Sequence, residues 1–192
     1  MTFVVDRIAA ARLLPDESRE VFRVVLDALA RPGRIVQLPS DRLGGTPAVL
    51  LPMLALADLG TPVAVLDDGA GWVDAVSAAT SAPIVEFDVA RFVAATRPMR
   101  PEELRSACRG SAFAPEAGAL VCLSVAEVDG EDWVLSGPGI ADRARVSGVD
   151  GLVEARALAV AGFPAGVDLL LITADGRMAG IPRTTVIEGK GF

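Results

Sequence analysis

The sequence predicts an α/β protein, a three-layer α/β/α sandwich built around a mixed sheet, and three observations predict it. Helical and strand patterns alternate through the first half of the chain. Short apolar runs separated by Asp-Gly turns follow in the second half, so hairpins join the crossovers. The 192 residues, about half of them hydrophobic, are enough for one domain spanning residues 1–192. Such a chain buries roughly 70% of the surface its unfolded form exposes, without a metal or disulfide staple.

Taken in order, Asp16 or Ser18 is placed to cap a helix whose apolar positions Val21, Val24, Val25, Ala28 and Leu29 recur at three- and four-residue steps, and Pro32-Gly33 ends it. Arg34 to Leu38 alternates as a short strand. After the Gly44-Gly45 loop, Thr46-Pro47 supplies the cap and first-turn proline of a second helix reaching Asp58, with Pro52 positioned to kink it. Pro62 to Leu66 reads as a buried strand, Trp72 to Thr80 as a helix and Pro83 to Phe87 as a strand. Pro101 followed by Glu102 and Glu103 starts a helix running to about Arg109, since the proline fixes φ and the carboxylates complement the positive helix end. Gly118 to Val125 is apolar enough for a central strand, with Asp129-Gly130 turning into a partner strand at Asp132 to Leu135. Val149 to Ala161 reads as a helix, and Val167 to Thr173, Asp175-Gly176 and Arg177 to Ile181 as a second hairpin.

Composition removes whole classes of chemistry. The chain has no His and no Tyr, which excludes a Ser-His-Asp triad and a His-based zinc site. Cys108 and Cys122 are too few for a disulfide framework or a four-ligand metal site and read as structural thiols. Lys190 is the only lysine among eighteen basic residues and the only candidate for a lysine-based covalent mechanism. A net charge of −7 with no basic run argues against nucleic acid. The N-terminus lacks a secretory pattern, and the longest apolar stretches are broken by Pro, Gly and Asp. The chain therefore reads as cytoplasmic, with no membrane contact.

Four places could carry chemistry. Gly137-Pro138-Gly139 after a strand invites a phosphate-loop reading, but Asp142 stands where a further glycine is wanted, and a tight turn explains the glycines as well. Glu116 lies between a helix and a buried strand, as an acid, a base or a turn residue. Asp168 sits in an apolar strand and requires a partner such as an arginine or backbone amides. Arg183 with Thr184 and Thr185 is the most suggestive cluster, a guanidinium and two hydroxyls suited to a phosphate or carboxylate; the same arginine could equally pair with Asp168 or Glu116 or contact a partner chain. Glu116, Asp168, Arg183, Thr184 and Thr185 together form the candidate anion pocket.

FRVVLDALARPG, APEAGA, LSGPGI, FPAGVDLLL and IPRTT occur in this order between about residues 14 and 188. In that order and spacing the chain resembles the PhnH family, a subunit of the carbon-phosphorus lyase system of phosphonate breakdown. The resemblance implies a fold like the large domain of pyridoxal-phosphate-dependent transferases but without the cofactor, and a homodimer. The placement of Lys190 in the terminal tail agrees with no cofactor, because a Schiff base needs a lysine at the end of an internal strand. The resemblance further implies a core complex with the G, I and J subunits. In that system a phosphonate displaces adenine from ATP at the ribose, giving a ribosyl triphosphate phosphonate before the carbon-phosphorus bond is cleaved. It assigns this type of subunit no catalytic residue, so the expectation is a structural or co-catalytic component. A subunit that itself holds phosphonate or ATP is the alternative.

Overall fold

The computed structural model describes residues 2–39, 41, 43 and 45–189, and the side chains from Asp6 onward. The Gly44 half of the expected Gly44-Gly45 loop, and Lys190, lie outside the described residues. A six-stranded mixed sheet divides the molecule. Four strands are parallel neighbours: β2 (Val63–Leu66), β3 (Phe92–Ala95), β4 (Leu120–Ser124) and β7 (Asp168–Ile172). β8 (Arg177–Ile181) returns antiparallel beside β7, and β1 (Ile35–Gln37) closes the far edge antiparallel to β8, giving the order β1-β8-β7-β4-β3-β2.

Alternation along each strand creates the two cores. In β7, Leu170 and Ile172 face one side while Leu169 and Leu171 face the other; in β3, Phe92 and Ala94 oppose Val93 and Ala95. The first face is covered by α1 (Thr2–Ala11), α2 (Pro15–Ala30), α3 (Leu51–Leu56) and α4 (Trp72–Thr80), with Val21, Val25 and Ala28 as the buried stripe of α2. The second face is covered by α5 (Pro101–Ser106), α6 (Leu152–Val160) and a small antiparallel sheet of β6 (Ala144–Val146), β5 (Trp133–Ser136) and β9 (Val186–Gly189). The architecture is the expected α/β sandwich around a mixed sheet, with the added sheet lying in one outer layer.

Several expected boundaries move, each for a physical reason. Pro83 to Phe87 is not a strand: Ile84 makes one bridge to Val63 at the sheet edge, and Phe87–Val89 is a 3-10 turn. A proline and Glu86 suit that edge, and the interior place beside β2 goes to the buried Phe92–Ala95. Asp132 to Leu135 does not pair with the central strand, because β4 is already flanked by β3 and β7; it joins β6 and β9 instead. β6, β9 and α1 have no counterpart among the expected elements.

The cap of α2 is neither Asp16 nor Ser18. The chain enters at Leu14, whose N–H donates to the Glu17 carboxylate, with Pro15 in the first turn. Thr46 does not cap a helix: its hydroxyl donates to the Ala10 carbonyl at 2.9 Å, and the expected single helix is a 3-10 turn (Ala48–Leu50) followed by α3, split where Pro52 removes a donor. α5 stops at Ser106, short of Arg109, and α6 begins at Leu152, after Gly151 turns the chain at positive φ.

Candidate functional site

β7 and β8 bring the polar end of the hairpin to the edge of the sheet where β4 and β7 begin. Asp168 is the first residue of β7, and Arg183 lies two residues beyond the end of β8. The Asp168 carboxylate accepts from the Arg183 backbone N–H at 2.6 Å, from Nη2 at 2.6 Å and from Nε at 3.2 Å to each oxygen. The other arm of the guanidinium, Nη1, donates to the carbonyls of Pro115 at 2.6 Å and Pro164 at 3.3 Å. The two side chains are only 15% and 23% exposed, so this is a sheltered pair in a fixed fork geometry. Asp168 thus finds the arginine and backbone amide that its apolar strand requires.

The slot that receives Arg183 is made by two glycines. A Cβ on Gly118 would stand 2.2 Å from the Gly166 carbonyl and 3.0 Å from Arg183 Nη1. Only there can the starts of β4 and β7 come close enough to share the guanidinium.

The other candidate residues diverge. The Glu116 side chain is exposed; it is the carbonyl of its neighbour Pro115 that meets Arg183, while the Glu116 carbonyl accepts from Arg91 Nη2 at 3.0 Å. Thr184 is exposed, whereas Thr185 is buried, 2% exposed, with its Oγ1 shielded and unpartnered among the described residues. Gly137-Pro138-Gly139 is a packing bend: a Cβ on Gly139 would lie 2.6 Å from the Ala30 carbonyl at the end of α2, and one on Gly137 would lie 3.0 Å from the Thr184 carbonyl. The Gly137 and Gly139 backbones, at positive φ, pack against other segments of the chain, so the tight-turn reading accounts for both glycines.

One residue that the sequence reading passed over belongs here. Arg156 on α6 is 3% exposed; its Nη2 donates to the Pro182 carbonyl at 2.7 Å, and its Nε is shielded with no partner among the described residues. Burial pushes its pKa down to about 10, with the Asp168 charge opposing, so it is a cation at neutral pH. A signal existed: Leu152, Ala155, Arg156 and Ala159 form the buried stripe of α6, and an arginine on such a stripe is anomalous. Arg156, Arg183, Thr184 and Thr185 line one cavity of about 250 Å³.

Two larger cavities open at the opposite edge, outside the carboxyl ends of the parallel strands where α/β folds commonly hold ligands. The first, of about 610 Å³, takes Glu127, Asp132 and Asp150 as its ionisable lining among the described residues, which opposes an anion. The second, of about 440 Å³, is lined among the described residues by apolar and hydroxyl side chains with no charge. Among the described residues no helix is long and apolar enough to cross a membrane.

The sequence segments that carry the resemblance therefore meet in space: APEAGA and FPAGVDLLL close on Arg183 of IPRTT, and LSGPGI packs between IPRTT and the end of FRVVLDALARPG. Residues 13–188 match the family described as bacterial phosphonate metabolism protein (PhnH). The chain belongs to the PhnH family. No curated protein matches it at a significant level. Membership in the PhnH family carries a role in bacterial phosphonate metabolism, and Gly118, Gly137, Gly139 and Arg183 of this PhnH chain sit where close packing requires them.

Proposed function

We propose that this chain is the H-type subunit of a cytoplasmic carbon-phosphorus lyase core complex. In this reading it is a homodimer, works with G, I and J subunits, and supports formation of ribosyl triphosphate phosphonate from ATP and phosphonate. Its part is to dock and position the other subunits, with no chemical step of its own. The observation that carries this reading is the family match over residues 13–188. Two features of the chain support it. The most suggestive cation, Arg183, is already committed to Asp168 and two carbonyls. Phe22 and Leu26, one helical turn apart on α2, stand about half exposed, as do Leu158 and Val186 on the opposite outer layer, apolar surface suited to partners.

Co-expression with G, I and J subunits followed by size exclusion tests the proposal. The expected result is co-elution, lost in a Phe22→Asp, Leu26→Asp double variant that still folds; a chain that elutes free under all conditions refutes it. A second reading, that the chain itself holds phosphonate or nucleotide, is favoured by the buried, incompletely paired Arg156 beside Arg183.

A further inference from the structure

The cluster at the start of β7 is out of electrical balance. Two guanidiniums, Arg156 and Arg183, share one carboxylate, Asp168, and that carboxylate is bonded to Arg183. Arg156 makes one hydrogen bond among the described residues, to the neutral Pro182 carbonyl, although its fork carries five N–H donors. A buried charge in this position is costly unless an anion or further acceptors complete it. The shielded Thr185 hydroxyl, lining the same cavity, is a second polar group with no partner among the described residues. Native interiors leave few such groups, and two orphans from different elements on one cavity point to something that joins them.

We propose that this cavity is a binding site for a small oxyanion bearing a short apolar substituent, an alkylphosphonate in chemical class. Arg156 is its main charge contact and Thr185 its hydroxyl contact. Arg183, held by Asp168, is a wall of the site and not its principal ligand. Size and lining narrow the choice of ligand. At about 250 Å³ the cavity lies below the ~300–1,000 Å³ typical of sites for larger ligands, which disfavours ATP. Val153, Val160 and Ile187 supply apolar wall beside the charge, which favours an alkyl substituent over inorganic phosphate. This choice of substrate class rests on the phosphonate role of the family; the charge imbalance does not.

Isothermal calorimetry on the full chain, with ethylphosphonate, inorganic phosphate and ATP as probes, tests it. The expected order is ethylphosphonate tighter than phosphate, with ATP weakest. Arg156→Gln is expected to weaken ethylphosphonate at least tenfold, while Arg19→Gln on the exposed face of α2 leaves it unchanged. Thr185→Val keeps the side-chain shape and is expected to weaken binding about threefold with an unaltered melting temperature, so the test survives if Arg156→Gln fails to fold. No ethylphosphonate binding up to a Kd of about 10 mM, equal affinity in Thr185→Val, or ATP binding tightest would overturn the site. A chain that co-elutes with the other subunits yet binds no oxyanion loses the pocket and keeps the assembly role. One that binds ethylphosphonate through Arg156 but never co-elutes keeps the pocket and loses the assembly role.

Discussion

Neutralising Asp168 tests the central claim that one carboxylate holds this edge of the sheet together. Asp168→Asn keeps size and one acceptor oxygen but removes the charge facing Arg183 and, at longer range, Arg156. Breaking a fully buried pair costs about 3–5 kcal/mol; with its side chains 15% and 23% exposed this pair is partly screened, and the expected loss is about 2–3 kcal/mol. For a chain of this size that is a fall in melting temperature of about 4–12 °C, read by circular dichroism or calorimetry at neutral pH. A double-mutant cycle with Arg183→Gln should return a coupling of at least about 1 kcal/mol. A melting temperature within about 1 °C of wild type would refute the reasoning, since it would place the pair among surface ion pairs that contribute little. The same substitution removes the negative charge that acts on Arg156 in the proposed oxyanion site, so ethylphosphonate affinity should rise even as stability falls.

Three other outcomes follow from the packing. Gly118→Ala places a methyl group 2.2 Å from the Gly166 carbonyl, backbone against backbone, and should cost about 3 kcal/mol in urea unfolding, more than Gly162→Ala, where nothing lies within 4 Å. Glu103 is held down to about 2 by hydrogen bonds from Arg97, with burial opposing and Arg100 adding its own. Because its folded pKa lies below the unfolded value of about 4.3, its contribution is full above that value and disappears as pH falls from about 4.3 towards 2; Glu103→Gln should flatten that limb of the stability-pH curve. Burial raises the Cys122 thiol pKa, so a thiol reagent at neutral pH should label Cys108 in the folded protein and reach Cys122 only after unfolding.

The sequence by itself determined the class of fold and much of its skeleton. Trp72–Thr80, the β7–β8 hairpin and the buried stripe of α2 could be read directly, because period and turn chemistry are local properties. The need of Asp168 for a partner, an arginine or backbone amides, was equally legible, since a carboxylate in an apolar strand is costly without one. Which strand stands beside β2 was not: Pro83 to Phe87 and Phe92 to Ala95 are both short and apolar, and only the competition for an interior place decides between them. Nor could the partner of Trp133–Ser136 be read, because it depends on β4 having no free edge.

The candidate site divides in the same way. Arg183 and Thr185 were visible as a polar cluster behind a strand, yet their fates are opposite. Arg183 is engaged on Nε, Nη1 and Nη2 by groups from positions 115, 164 and 168, whereas Thr185 is buried without a partner among the described residues. Arg156 was recoverable from the apolar stripe of α6, but its being an under-paired cation was not. Charge balance is a sum over groups that are near in space, and residues 156, 168 and 183 become one electrostatic unit only when the tertiary fold sets α6 against the start of β7 and the end of β8.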